Sequence, residues 1–131
     1  MYLLDTNVCI HILNNTSEAV VARFSAGSPA TIRLCSVVKA ELLYGARKSD
    51  RVARVLTGLE TFFRPLVSLP FDDECAHEYG RVRADLARAG TPIGANELMI
   101  AAIGRRHNAT VVTHNVTEFT RVVGLAVENW E

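Results

Sequence analysis

Hydrophobic positions along this chain follow two alternating rhythms. Short continuous apolar runs at Tyr2–Leu4, Thr31–Cys35, Leu66–Leu69 and Thr110–Thr113 predict strands buried on both faces, and Ala126–Asn129 predicts a short fifth. Between them the spacing lengthens to three and four. Val52, Val55, Leu56, Leu59, Phe62 and Phe63 make one stripe of a helix from Asp50 to Phe63, and Cys75, Tyr79, Val82 and Leu86 make another. Shorter helices are expected at Val8–Leu13, from Ser17 to Phe24, at Val37–Lys48 and at Asn96–Arg106. Punctuation agrees with these bounds. Ser17 and Ser36 stand where N-caps belong, and Asp72, Asp73 and Glu74 put negative charge at a helix start. Pro65 stops one helix, and Gly27 and Gly90 follow two others.

Strands joined through helices predict an α/β fold: one domain spanning residues 1–131, with a mostly parallel sheet of four to five strands flanked by helices. Ligands of such sheets bind beyond the carboxyl ends of the strands. Asp5, Ser36 and Asn115 follow the first, second and fourth strands, so the search for chemistry starts there.

Composition narrows the function classes. At 131 residues, with 49% apolar and 21% charged residues, the chain has the profile of a globular domain rather than a disordered one. Fourteen basic residues balance fourteen acidic ones, so a polyanion must be held by local clustering, not by net charge. No apolar run is long enough for a membrane span and no leader pattern is present, which predicts a cytoplasmic protein. Cys9, Cys35 and Cys75 lack paired spacing and are expected to be reduced core residues.

The acids carry the informative pattern. On a helix, Glu41 shares a face with Val37, Val38, Tyr44 and Gly45, and Glu97 shares one with Ile100, Ala101 and Gly104. Each carboxylate is therefore expected to turn inward, where it needs a proton, a hydrogen bond or a cation. If the two helices flank the sheet, Glu41 and Glu97 converge with Asp5, and the economical solution is one or two magnesium or manganese ions. Such ions support phosphodiester hydrolysis. Taken singly, Asp5 reads as a turn residue, Glu41 as a partner for a core arginine and Glu97 as a charge serving its helix dipole. Asn115 is a turn residue or a ligand. Lys39, Arg47, Lys48, Arg105 and Arg106 are candidate phosphate contacts, and His11, His77, His107 and His114 show no ligand spacing. A phosphatase using an aspartyl nucleophile would want a second aspartate where Asn7 stands. A receiver domain would want an aspartate where Leu66–Leu69 runs into Pro70.

Several segments, in order, resemble PIN-domain toxins of the VapC type: Tyr2-Leu3-Leu4-Asp5-Thr6-Asn7, Ala40-Glu41-Leu42-Leu43-Tyr44-Gly45-Ala46, Pro92-Ile93-Gly94-Ala95-Asn96-Glu97 into Ile100-Ala101-Ala102, and Val112-Thr113-His114-Asn115 to Gly124-Leu125. The resemblance implies an endoribonuclease dependent on magnesium or manganese. It also implies a homodimer silenced by a VapB-like antitoxin whose tail enters the active site, with operator DNA met only through that antitoxin. Transfer RNA is the implied substrate. The family's catalytic, metal-holding acids fall on Asp5, Glu41 and Glu97, with Asn115 at the fourth position. Two departures stand out: Glu97 occupies a place where the family usually has aspartate, and Asn115 one where many members have an acid. A PIN-like domain that binds RNA or a protein without cleaving it is the alternative those departures favour.

Overall fold

The computed structural model describes residues 1–131. Five strands, β1 (Tyr2–Leu4), β2 (Ile32–Cys35), β3 (Val67–Leu69), β4 (Thr110–Val112) and β5 (Ala126–Glu128), form one sheet in the order β3-β2-β1-β4-β5. Every pairing is parallel, so the mostly parallel sheet expected from the sequence is parallel throughout. Seven helices complete the fold: α1 (Thr6–Asn14), α2 (Glu18–Ala26), α3 (Ser36–Arg47), α4 (Val52–Phe63), α5 (Asp73–Ala89), α6 (Ala95–Arg106) and α7 (Val116–Phe119).

The three central strands hold because both of their faces are covered; the edge strands are less buried than the sequence predicts, Val67 of β3 being 54% exposed. Leu3, Leu4, Leu34, Cys35, Val111 and Val112 are fully buried in one hydrophobic cluster with residues from α1 through α7. This is the burial expected of continuous apolar runs in a parallel sheet. No helix is long and apolar enough to cross a membrane.

Local signals act much as their chemistry requires. Ser17 accepts the Val20 N–H at the start of α2, and Asp72 accepts the Cys75 N–H at the start of α5. Gly90 ends α5 in the left-handed region at φ 69°, with its N–H directed to the carbonyls of Leu86 and Ala87. Three expectations need correction. Ser36 does not cap α3. The chain is still extended at Cys35, which takes the cap position at φ −139°, and Ser36 is already the first helical residue. The α4 stripe is only partly covered: Leu59 alone is buried, while Val55 is 37% exposed. Lastly, α7 was not anticipated, because a single turn is too short to show periodicity.

That turn nevertheless inserts Phe119, which is fully buried in the core cluster. Phe119→Ala is expected to destabilise the fold by about 3–5 kcal/mol. Urea unfolding checks this through a lowered midpoint at unchanged slope.

Candidate active site

From β1 the sheet order runs outward in both directions, to β2 and β3 on one side and to β4 and β5 on the other. The carboxyl ends of β1 and β4 flank this switch point, where doubly wound sheets open a crevice. Asp5 sits at that point. It is the residue after β1 and the N-cap of α1, and its side chain is only 9% exposed. One carboxylate oxygen accepts the Thr6 N–H at 2.8 Å, and the other accepts the Thr113 hydroxyl at 2.8 Å from the end of β4. The Thr113 hydroxyl in turn accepts the Asn115 N–H at 2.9 Å, so the loop after β4 is fixed against Asp5.

Burial pushes the Asp5 carboxyl above its ordinary range, and the nearby charge of Glu41 pushes the same way. The bonds from Thr113 and Thr6 oppose both without cancelling them. Beside it, the Thr6 hydroxyl is buried without a hydrogen-bonding partner. Beneath lie two thiols with no role in ionic chemistry. Burial holds Cys9 well above its usual range and Cys35 at about 11, so both are neutral thiols, and both lie unbridged in the core.

Glu41 projects from α3 and is half-buried, lining an open cleft rather than the core. The inward turn expected from its helix face is thus only partial, and no arginine meets it. Its partner is Asn96 of α6, whose Nδ2 donates to Glu41 Oε1 at 2.6 Å. Two pockets meet at Glu41. One, of about 450 Å³, is lined by Ser36, Tyr44, Asn96 and Met99; the other, of about 250 Å³, runs between α1, α3 and α4.

Glu97 does not join Asp5 and Glu41. Its carboxylate lies back over Gly94, filling the space a Cβ there would need. Consequently no three of the histidine, cysteine, aspartate or glutamate side chains are grouped to hold a metal ion. The expected convergence of Asp5, Glu41 and Glu97 is corrected: Glu41 is near enough for its charge to act on Asp5, while Glu97 folds back over Gly94. The Asn115 side chain is engaged with Glu118, its Nδ2 donating to Glu118 Oε2 at 2.7 Å.

The PIN domain family matches residues 2–125. The chain belongs to the PIN-domain family. Among its relatives, the "tRNA(fMet)-specific endonuclease VapC" of Salmonella typhimurium is 40% identical, over 98% of this chain and 97% of that protein. The "Ribonuclease VapC2" of Rickettsia felis is 36% identical over 100% and 98%. The crystal structure of DNA-bound VapBC from Salmonella typhimurium superimposes with a TM-score of 0.92 at 38% identity, covering 99% of this chain and 98% of that one.

Within this PIN domain the basic candidates separate by position. Arg105 and Arg106 end α6, roughly 12 Å along the helix from Glu97. Arg105 is paired with Glu78 and donates to the Val123 carbonyl, while Arg106 reaches Glu74 at 4.0 Å. Burial works against the Glu78 carboxylate, yet the Arg105 bond and charge, aided by Arg81, hold it below its ordinary range. Neither arginine is placed to meet a phosphate at the cleft. Lys39 lies over the Phe63 ring and Lys48 over the Tyr44 ring, while Arg47 is exposed and unpaired. His11 and His114 both contact Glu131, as surface histidines do.

Thr113 and Asn96 were not picked out beforehand as site residues. Thr113 was legible in principle, because a hydroxyl at the end of the strand beside Asp5 must face it. Asn96 was not, since its contact spans 55 residues of sequence.

The sign of the Asp5 shift yields a test. An acid whose folded pKa lies above its unfolded value of about 3.9 costs no stability below that value. The cost grows as pH rises toward the folded pKa and is then constant. Asp5→Asn, kept in chelator, is therefore expected to melt above the parent protein at neutral pH. The difference should shrink as pH falls to about 4. Paired thermal melts across pH check it, and a constant difference would contradict the assignment.

Proposed function

We propose that this PIN domain is the toxin of a toxin–antitoxin pair, an endoribonuclease that cuts transfer RNA with the help of a divalent cation, magnesium or manganese. The supporting observation is a buried carboxylate, Asp5, held at the switch point of the sheet and within range of the Glu41 charge, in a chain 40% identical to a VapC endonuclease. The donor chemistry fits a hard cation in part. Magnesium is commonly bound by one or two carboxylates while it keeps several waters, and Asp5 and Glu41 supply that number. The unpartnered Thr6 hydroxyl beside Asp5 suits a hydrated ion as well. Glu97, as it lies, contributes nothing to such a site.

When bound, the cation polarises a phosphate oxygen and activates water. The protein's own groups have distinct tasks. Thr6 and Thr113 hold the Asp5 carboxylate in a single orientation, so it enters the reaction without reorganising. Asn96 fixes Glu41 from the opposite wall of the cleft. Both walls are rigid helices, which suits an unstacked loop of RNA better than a duplex.

The partner reading rests on the groove between α1, α3 and α4. Leu13, Leu42 and Leu59 line it, Ile10 is 39% exposed at its rim and Val55 is 37% exposed, while Glu41 lies at its inner end. An antitoxin segment with an apolar helix face fills such a groove, and a basic side chain following it reaches Glu41. On the other side of α3, Leu43 and Tyr44 are exposed, Tyr44 by 66%, and we assign them to contact with a second copy of the chain. The placement of Glu97 and Asn115 favours a second reading, a PIN domain that binds RNA without cutting it.

One experiment separates the two. The purified chain is expected to cleave transfer RNA with magnesium or manganese and to lose that activity in excess chelator. Asp5→Asn should reduce the rate by more than about a hundredfold, the upper end of what losing a metal's outer partners costs. Intact folding and RNA binding with no cleavage would favour the second reading. For the groove, Val55→Arg is expected to leave cleavage unchanged while making the cognate antitoxin a poorer inhibitor by at least about tenfold, measured by titrating the antitoxin against cleavage. Undiminished inhibition would remove the groove from the antitoxin interface.

A further inference from the structure

A third pocket shares the first turns of α6 with the candidate active site, Ala95 and Leu98 lining the pocket and Asn96 and Met99 the cleft. It has a volume of about 310 Å³ and lies where Tyr79, Arg83 and Ala87 of α5 face Pro92, Ile93 and Leu98. Its far wall is the segment that carries Gly94, Asn96 and Glu97, so pocket and cleft share one turn of backbone.

The pocket is apolar, with an aromatic face held in place. Phe71 meets Tyr79 edge-on, at 6.0 Å between centroids and 89° between planes. Arg83 donates to the Tyr79 hydroxyl at 3.0 Å.

Charge distinguishes this surface from its surroundings. Arg81, Arg88 and Arg105 are neutralised by Glu78 or Asp85. Arg83 has no carboxylate partner, and neither has Arg121, which donates to the Pro92 carbonyl at 2.9 Å. In a chain of zero net charge, two uncompensated guanidinium groups thus border one apolar pocket. An apolar slot with an aromatic wall and, at its edge, two guanidinium groups whose charge no carboxylate neutralises is the chemistry that takes a splayed-out base together with its phosphate. An apolar peptide would gain nothing from the free charges.

We propose that this pocket binds an unstacked nucleobase of the RNA next to the scissile phosphate, Tyr79 providing the stacking face and Arg83 and Arg121 the phosphate contacts. The proposal deepens the ribonuclease reading and rests on it for the identity of the ligand.

The test measures binding without cleavage. In the Asp5→Asn background, the affinities of single-stranded 2′-O-methyl hexanucleotides of each base are measured by fluorescence anisotropy. Tyr79→Ala is expected to weaken the tightest of them about five- to hundredfold, the range for one lost base stack. Tyr79→Phe should keep most of the affinity. Ala87→Leu, which fills the slot from its wall and leaves the aromatic ring intact, should reproduce the loss, so the conclusion does not depend on whether Tyr79→Ala folds. Two results would overturn the proposal: no measurable hexanucleotide binding, or unchanged affinity in Ala87→Leu, which together with loss of self-association or of antitoxin inhibition would give the pocket to a protein. Cleavage by the chain with Asp5 intact is scored separately. A chain that cuts RNA equally well with the pocket filled refutes the pocket alone, whereas one that binds through the pocket but never cuts refutes the nuclease reading alone.

Discussion

The structure depends on one costly placement, a carboxylate buried at the junction of β1 and β4. Removing Asp5 from water is unfavourable, and its proton affinity rises accordingly. Two hydrogen bonds offset part of that cost, and each does structural work: Thr6 ties Asp5 to the helix it starts, and Thr113 ties it to the neighbouring strand. Through the Asn115 N–H the same network fixes the loop that leads into α7 and Phe119. A residue that weakens the fold electrostatically therefore organises the end of the sheet where a ligand would sit. That combination marks a position kept for chemistry more than for stability.

The distribution of cations follows the same division. Acids on α5 neutralise the arginines at the carboxyl end of α6, and these pairs hold the two helices together. Two guanidinium groups without a carboxylate partner, Arg83 and Arg121, lie near the amino end of α6. A chain without net charge can still present a local attraction for a polyanion where two such groups lie close together.

How far the sequence alone reaches follows from the range of each interaction. The strands and long helices were legible because their periodicity arises within a few residues of each position. The parallel sheet followed from the alternation of elements, and Asp5 from the rule that sites form beyond strand ends. Ser36 failed as a cap because the turn from strand to helix happens one residue earlier than propensity suggests. Arg105 and Arg106 stand as candidate phosphate contacts in the sequence because their partners, Glu78 and Glu74, belong to another helix. Thr113 follows once β1 and β4 are neighbours, whereas Asn96 owes its importance to a contact across 55 residues, which no local pattern encodes.

Glu97 shows where two demands on one side chain compete. It is the third residue of α6, whose cap is Gly94 and whose first turn has no side-chain cap. A glutamate at that position is long enough to fold back toward the cap residue, and the helix dipole favours negative charge there. Gly94 makes the fold-back feasible, because any Cβ would occupy the space the carboxylate takes. Aspartate, one methylene shorter, lacks this reach and would leave its charge nearer the backbone of α6. The retracted carboxylate is thus a consequence of glutamate and glycine together. Whatever draws Glu97 toward Asp5 and Glu41 must overcome both the repulsion of two acids and the attraction of the helix end. A bound cation or an arriving cationic side chain supplies the necessary charge, whereas a neutral ligand does not.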